Sequence, residues 1–173
     1  MGHGEHDGDD PHRWLDPLEG RRMATAVRDV LRAVDAANAD VYDAGWRALV
    51  ERIDAADAAN KKRLAAFRGR EFYVYHPALG HFGARYGLQQ IALEHEEKEP
   101  SARQLARWID RAKQHGVRVL FVQPQFPKRT AMTVARSLGA ELVEVDPLAR
   151  DYAANLERLG EAVAAAFAKD GGA

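Results

Sequence analysis

Hydrophobic residues recur every three or four positions along the first third of the chain, a spacing that predicts amphipathic helices. Residues 17–34 carry one such stripe, formed by Met23, Val27, Val30, Leu31 and Val34. A second stripe runs from residue 38 to residue 67, a length of about 40 Å at the rise of an α-helix. A helix of that length is longer than a small domain needs.

Beyond Gly69 the pattern changes to short apolar runs that alternate with helical stretches. The runs EFYVY, LQQIAL, VRVLFV and ELVEV predict strands at residues 71–75, 88–93, 117–122 and 141–145. Helical patterns lie at residues 77–86, 101–115, 127–138 and 151–167. This alternation predicts an α/β fold in which a four-stranded parallel sheet with right-handed crossovers is flanked by helices.

The two patterns divide the chain into three parts. Residues 1–16 form a flexible arm rich in His and Asp that ends in the segment DPHRWLDP. Residues 17–68 form a helical segment that contains the long helix, and residues 69–173 form the α/β lobe. The segment DPHRWLDP raises a question, because Asp16 and Pro17 suit the start of a helix whereas His12 and Trp14 have no such local role.

Composition excludes several classes of function. A net charge of -1, with Lys and Arg scattered among Asp and Glu, argues against nucleic-acid binding. The absence of cysteine excludes disulfides, thiolate metal sites and cysteine nucleophiles. The N-terminal residues MGHGEHDGDD do not resemble a signal peptide, and no apolar run is long enough to span a bilayer. The turns after the strands also lack a glycine-rich phosphate-binding motif.

Polar residues follow three of the predicted strands: His76, Gln123 and Asp146. In an open parallel sheet, ligands bind beyond the carboxyl ends of the strands, so these side chains are candidates for a site. Imidazole and carboxylate groups suit a divalent cation such as zinc, and His12 would add a second imidazole. Each residue also has a simpler interpretation: Asp146 as a cap, His76 as a structural histidine and Gln123 as a partner of loop backbone.

Four stretches, in this order, resemble the high-affinity zinc-binding solute-binding proteins of bacterial ABC importers: DPHRWLDP, YHPALGHFGARYGL, EKEPSARQLARWIDRAKQHGVRVLFVQPQF and AELVEVDPLA. The resemblance covers the chain from Asp10 onward. It implies a two-lobed clam in which a long helix, here residues 38–67, joins two α/β lobes and the metal lies between them.

The resemblance implies metal ligands as well. It identifies His12, His76 and Asp146 as the metal-binding residues, with Gln123 beside them, and His76 favours zinc because manganese-binding relatives typically carry glutamate there. His3 and His6 resemble the end of a His-rich loop that captures metal, although an expression tag or a linker would look the same. Because imidazole must be neutral to bind zinc, binding should weaken below about pH 6.

The implied function is to capture zinc outside the cytoplasm, in the periplasm or on a lipid anchor, and to deliver it to a membrane permease without enzymatic chemistry. Three alternatives stay open: a manganese or iron receptor of the same family, a metal-dependent hydrolase that uses a glutamate from residues 94–99, and a structural module without metal. The hydrolase is less favoured than the manganese or iron receptor, because an enzyme would also need a general base near the ion.

The chain departs from the family in one respect. The family carries a complete first lobe, with its own metal-binding histidine, before the motif that matches DPHRWLDP, and this sequence lacks it. We therefore expect an absent N-terminal lobe, a His12 segment without its packing partner, and self-association through the exposed stripes of the two long helices.

Overall fold

The computed structural model of the chain describes residues 10–94, 101–126 and 128–169. Two helices come first: α1, Pro17–Val34, and α2, Ala39–Leu64, which a 3₁₀ turn extends to Phe67. The predicted bounds of the first helix are confirmed, because Asp16 accepts a hydrogen bond from the backbone N–H of Leu18 and a proline occupies the first helical position. The 26 residues of α2 span about 39 Å, as the pattern predicts.

Strands and helices then alternate through the rest of the described chain. The strands are β1, Glu71–Val74; β2, Gln89–Ala92; β3, Val119–Val122; and β4, Glu141–Glu144. The helices are α3, Gly80–Tyr86; α4, Ala102–Gln114; α5, Lys128–Leu138; and α6, Tyr152–Lys169. All strand pairs are parallel, in the order β2-β1-β3-β4, so the predicted four-stranded parallel sheet is confirmed.

The predicted helix stops and one predicted start are also confirmed. Gly87, Gly116 and Gly139 have φ angles of 72°, 63° and 66°, the left-handed backbone that glycine adopts readily after a helix. Ser101 forms a capping box with Gln104 at the start of α4. The predicted start of α3 at residue 77 is wrong, because the helix begins at Gly80 and residues 77–79 precede it in irregular structure, where the Leu79 N–H donates to the Gln90 side chain.

Two buried clusters cover the two faces of the sheet. Alternate residues of β1 point to opposite faces, so Phe72 packs with Phe82 and Phe167 on one side, while Tyr73 packs with Trp108 on the other. The first face is covered by α2, α3 and α6, and the second by α4 and α5. The lobe is therefore a three-layer α/β sandwich, and its loops at the carboxyl edge of the sheet remain available for a site.

The long helix α2 packs against the α/β lobe through its contact with α6. The two helices approach closely at Gly160, where an added Cβ would lie 1.9 Å from the Asn60 side-chain oxygen. Asn60, which is fully buried, donates to the Leu156 carbonyl of α6 at 2.7 Å. Within the described residues, no helix has both the length and the apolar character needed to cross a membrane.

Candidate metal centre

The topology of the sheet brings two predicted site residues together at one point of its carboxyl edge. From the central pair β1 and β3, the chain continues to β2 on one side and to β4 on the other, which creates a crevice between the ends of the two central strands. His76 lies two residues beyond β1, and Gln123 directly follows β3. The Gln123 Nε2 donates to the backbone oxygen of His76 at 3.1 Å.

The DPHRWLDP segment folds onto this edge. Leu15 is completely buried in the core cluster of the first face. The Trp14 Nε1 donates to the Pro147 carbonyl at 3.0 Å, and the Tyr152 hydroxyl donates to the Trp14 carbonyl at 2.6 Å. The expectation that this segment lacks its packing partner is therefore wrong for residues 10–16, since the α/β lobe itself supplies the partner.

His12 and His76 meet as a result of this packing. Their ring centroids lie 5.3 Å apart with an interplanar angle of 81°, although the two residues are far apart in the chain. The His76 ring also stacks on Phe126 with centroids 4.4 Å apart. Both side chains are largely shielded, with exposed fractions of 17% for His12 and 13% for His76. Two of the predicted metal ligands are thus neighbours, and both are partly buried.

Each of these imidazoles is paired with a carboxylate through its Nδ1. The Asp10 Oδ1 lies 2.7 Å from the His12 Nδ1 and also accepts a hydrogen bond from the His12 backbone N–H. The Glu94 Oε2 lies 2.6 Å from the His76 Nδ1. Burial would raise the pKa of the Asp10 carboxyl, but the hydrogen bonds from His12 outweigh it, so that this pKa lies below its ordinary value.

Asp10 is not among the residues predicted from the sequence, and Glu94 enters there only as one possible general base of the hydrolase alternative. The signal for Glu94 was present, because it lies two residues beyond β2, the same position that His76 occupies beyond β1. The acidic stretch that follows Glu94 obscured this signal. Asp10 opens the DPHRWLDP segment, and His81 approaches its carbonyl with the Nε2 at 3.1 Å.

The side chain of the third predicted ligand, Asp146, forms hydrogen bonds with residues of the loops that follow β3 and β4. Its Oδ1 accepts hydrogen bonds from the Leu148 N–H and from the Gln125 Nε2, both at 3.0 Å. Its backbone oxygen accepts a hydrogen bond from the Asn155 side chain. Across residues 10–94, 101–126 and 128–169, no three His, Asp or Glu side chains are grouped closely enough to hold a metal ion. The assignment of Asp146 as a ligand stays a prediction.

The other predicted residues have different outcomes. Gln123 is fully buried and holds the His76 backbone, while its Oε1 accepts no hydrogen bond from the part of the chain that the structure describes. His3 and His6, the predicted accessory ligands, lie outside the described residues. The division of the chain at residues 16 and 68 also stays a prediction.

The sequence matches the family described as the periplasmic zinc-uptake complex component A, ZnuA, over residues 1–166. The chain belongs to this family. The high-affinity zinc uptake system protein ZnuA of Paracoccus denitrificans is 32% identical in an alignment of 173 positions that covers 94% of this chain and 53% of that protein. The zinc-binding lipoprotein AdcA of Streptococcus pneumoniae serotype 4 is 26% identical over 84% of this chain and 29% of its own length.

Solved structures of ZnuA proteins show the same fold. A crystal structure of ZnuA superimposes with a TM-score of 0.85 at 34% identity and covers 91% of this chain and 62% of the ZnuA chain. The two curated relatives match this chain over only about half of their length or less. The ZnuA family is described as a component of a zinc-uptake complex.

Proposed function

We propose that this chain forms the zinc-capturing lobe of an extracytoplasmic receptor that delivers zinc to the membrane permease of an ABC importer. The observation that carries the proposal is the pair formed by His12 and His76 at the carboxyl edge of the sheet, where each Nδ1 faces a carboxylate. The names of the relatives, a zinc uptake protein and a zinc-binding lipoprotein, support the same ion. The family description, which names the periplasm, supports a location outside the cytoplasm.

The donor set suits reversible zinc binding. Zinc prefers imidazole nitrogen and carboxylate oxygen in a tetrahedral arrangement, which His12, His76 and Asp146 would supply in three positions. Three protein ligands leave the site open on one side, unlike the four ligands of a structural zinc site. An open side is what a receptor needs, because the ion must leave again at the permease. The role is binding and release, without chemical change of the ion.

Metal preference tests this proposal. We expect titration calorimetry of the metal-stripped chain with zinc to show saturable binding at a ratio of one ion per chain. Manganese should bind more weakly by about tenfold or more, because imidazole ligands follow the order of divalent-metal affinities in which manganese is lowest.

Magnesium serves as the control, since it prefers an all-oxygen environment. Manganese binding as tight as zinc binding would favour the alternative of a manganese or iron receptor. Absence of any zinc binding would contradict the proposal.

Self-association is the second part of the proposal, and it rests on the apolar face of α1 and the start of α2. The exposed hydrophobic side chains of this region are Leu18, Met23, Val27, Val30, Leu31, Val34 and Val41. Monomeric proteins rarely leave so continuous an apolar strip in water. We expect light scattering after gel filtration to give a mass above that of a single chain, and Val30→Asp to shift the mass toward the monomer.

Met132→Asp provides the matched control. Met132 is also an exposed hydrophobic residue, but it lies on α5, on the opposite side of the sheet from α2. A monomer at every concentration of the unmodified chain, or an equal shift in both variants, would contradict self-association through α1.

A further inference from the structure

We propose that Glu94 and Asp10 are positioning residues that hold His76 and His12 by their Nδ1 atoms, so that both imidazoles offer Nε2 to the metal. This inference rests on the proposed function. Two unrelated segments of the chain reach the same arrangement: Asp10 precedes His12 in the DPHRWLDP segment, and Glu94 follows the neighbouring strand β2. A repeated carboxylate–imidazole pair on two ligands of one site indicates a shared role.

The distances distinguish a positioning role from direct coordination. Two atoms that each lie about 2.0–2.1 Å from a tetrahedral zinc ion are about 3.3 Å apart. The separations between carboxylate oxygen and Nδ1 are only 2.7 Å at His12 and 2.6 Å at His76. These are hydrogen-bond lengths, so a zinc ion does not fit between the paired atoms in this arrangement.

Hydrogen bonding to the carboxylate also determines which nitrogen carries the proton. A carboxylate only accepts, so the neutral imidazole must place its hydrogen on Nδ1 and keep the lone pair on Nε2. In metal sites the same arrangement orients the ring and increases the basicity of the ligand nitrogen. Nε2 is therefore the nitrogen through which His12 and His76 would bind zinc.

His76 is held from three sides, which makes Glu94 the more informative partner to test. Its ring stacks on Phe126, its backbone oxygen accepts from Gln123, and its Nδ1 faces Glu94. Glu94 is 7% exposed, so water replaces its hydrogen bond poorly. Asp10 is the less selective target, because it also accepts from the His12 backbone and its loss would disturb the turn itself.

The experiment compares the zinc affinity of the unmodified chain with that of Glu94→Ala and Glu94→Gln. We expect Glu94→Ala to lower the affinity by about 10- to 100-fold, the range found when such outer carboxylates are removed. Glu94→Gln should restore most of the affinity, because the amide oxygen can still accept from Nδ1–H.

Glu144→Ala serves as the matched control. It removes a carboxylate from the carboxyl end of β4, which lies on the other side of the sheet from β2, and there Glu144 pairs with Lys128. We expect its affinity to stay within about twofold of the unmodified chain, since a partly exposed surface ion pair contributes little.

A second measurement does not depend on the metal. Long-range ¹H–¹⁵N NMR spectra of the zinc-free chain at pH 8 should show the His76 proton on Nδ1, and Glu94→Ala should shift the tautomer population toward a proton on Nε2. An unchanged tautomer together with unchanged zinc affinity in Glu94→Ala would overturn the inference while leaving the zinc receptor proposal intact. Failure of the unmodified chain to bind zinc would overturn both.

Discussion

Zinc affinity is expected to fall about a hundredfold when His76 is replaced by alanine. The apparent binding free energy of a four-ligand zinc site is about 10–16 kcal/mol, or about 3 kcal/mol for each ligand, which corresponds to roughly two orders of magnitude in affinity. His76 contacts His12 and is largely shielded from solvent, so water would not supply an equivalent replacement ligand. Calorimetric titration of the metal-stripped variant with zinc measures the change.

Two further variants separate loss of a ligand from loss of packing. His76→Phe keeps an aromatic ring that can stack on Phe126 but carries no nitrogen donor, so its zinc affinity should fall as far as that of His76→Ala. His115→Ala removes a histidine that faces Glu71, at the opposite edge of the sheet, and should leave the affinity unchanged. Tight binding by either His76 variant would remove His76 from the proposed site.

The free energy of unfolding is expected to fall by about 2–5 kcal/mol in Leu15→Ala, the range for truncating a fully buried leucine. Leu15 has no exposed surface and belongs to the same core cluster as Leu64, Phe72 and Phe121. The cavity would lie directly beneath the segment that carries His12. Urea denaturation followed by circular dichroism gives the change in free energy.

Leu148→Ala is the control for this prediction. Leu148 is 62% exposed in the loop after β4, so its truncation should change the free energy of unfolding by no more than about 0.5 kcal/mol. If Leu15→Ala were as stable as Leu148→Ala, the DPHRWLDP segment would not be anchored in the core. His12 would then have no fixed position relative to His76.

Much of the fold follows from local patterns in the sequence. The bounds of α1, the length of α2 and the four parallel strands could be predicted because helical periodicity, caps and strand composition act over a few neighbouring residues. The start of α3 could not, because a contact between Leu79 and Gln90, on the next strand, replaces the regular start of a helix at Pro77.

The site was predictable only in part. His12 and His76 were recognised from their motifs, and the structure brings their rings together. Asp10 and Glu94 were not recognised as partners of the two histidines, because a carboxylate in a loop has many ordinary roles and only its distance from an imidazole distinguishes them. Asp146 illustrates the converse, since a suggestive position after a strand does not establish which partners its oxygens have.

By itself the sequence determined the alternation of strands and helices, the long helix and the imidazoles at the edge of the sheet. These depend on spacing along the chain, which the sequence contains directly. Only the tertiary structure decided that the DPHRWLDP segment packs on the α/β lobe and that each histidine meets a carboxylate. His76 and Glu94 lie on loops after adjacent strands, and the pairing of β1 with β2 sets their separation. The order of strands in a sheet depends on contacts between distant residues, which no local pattern records.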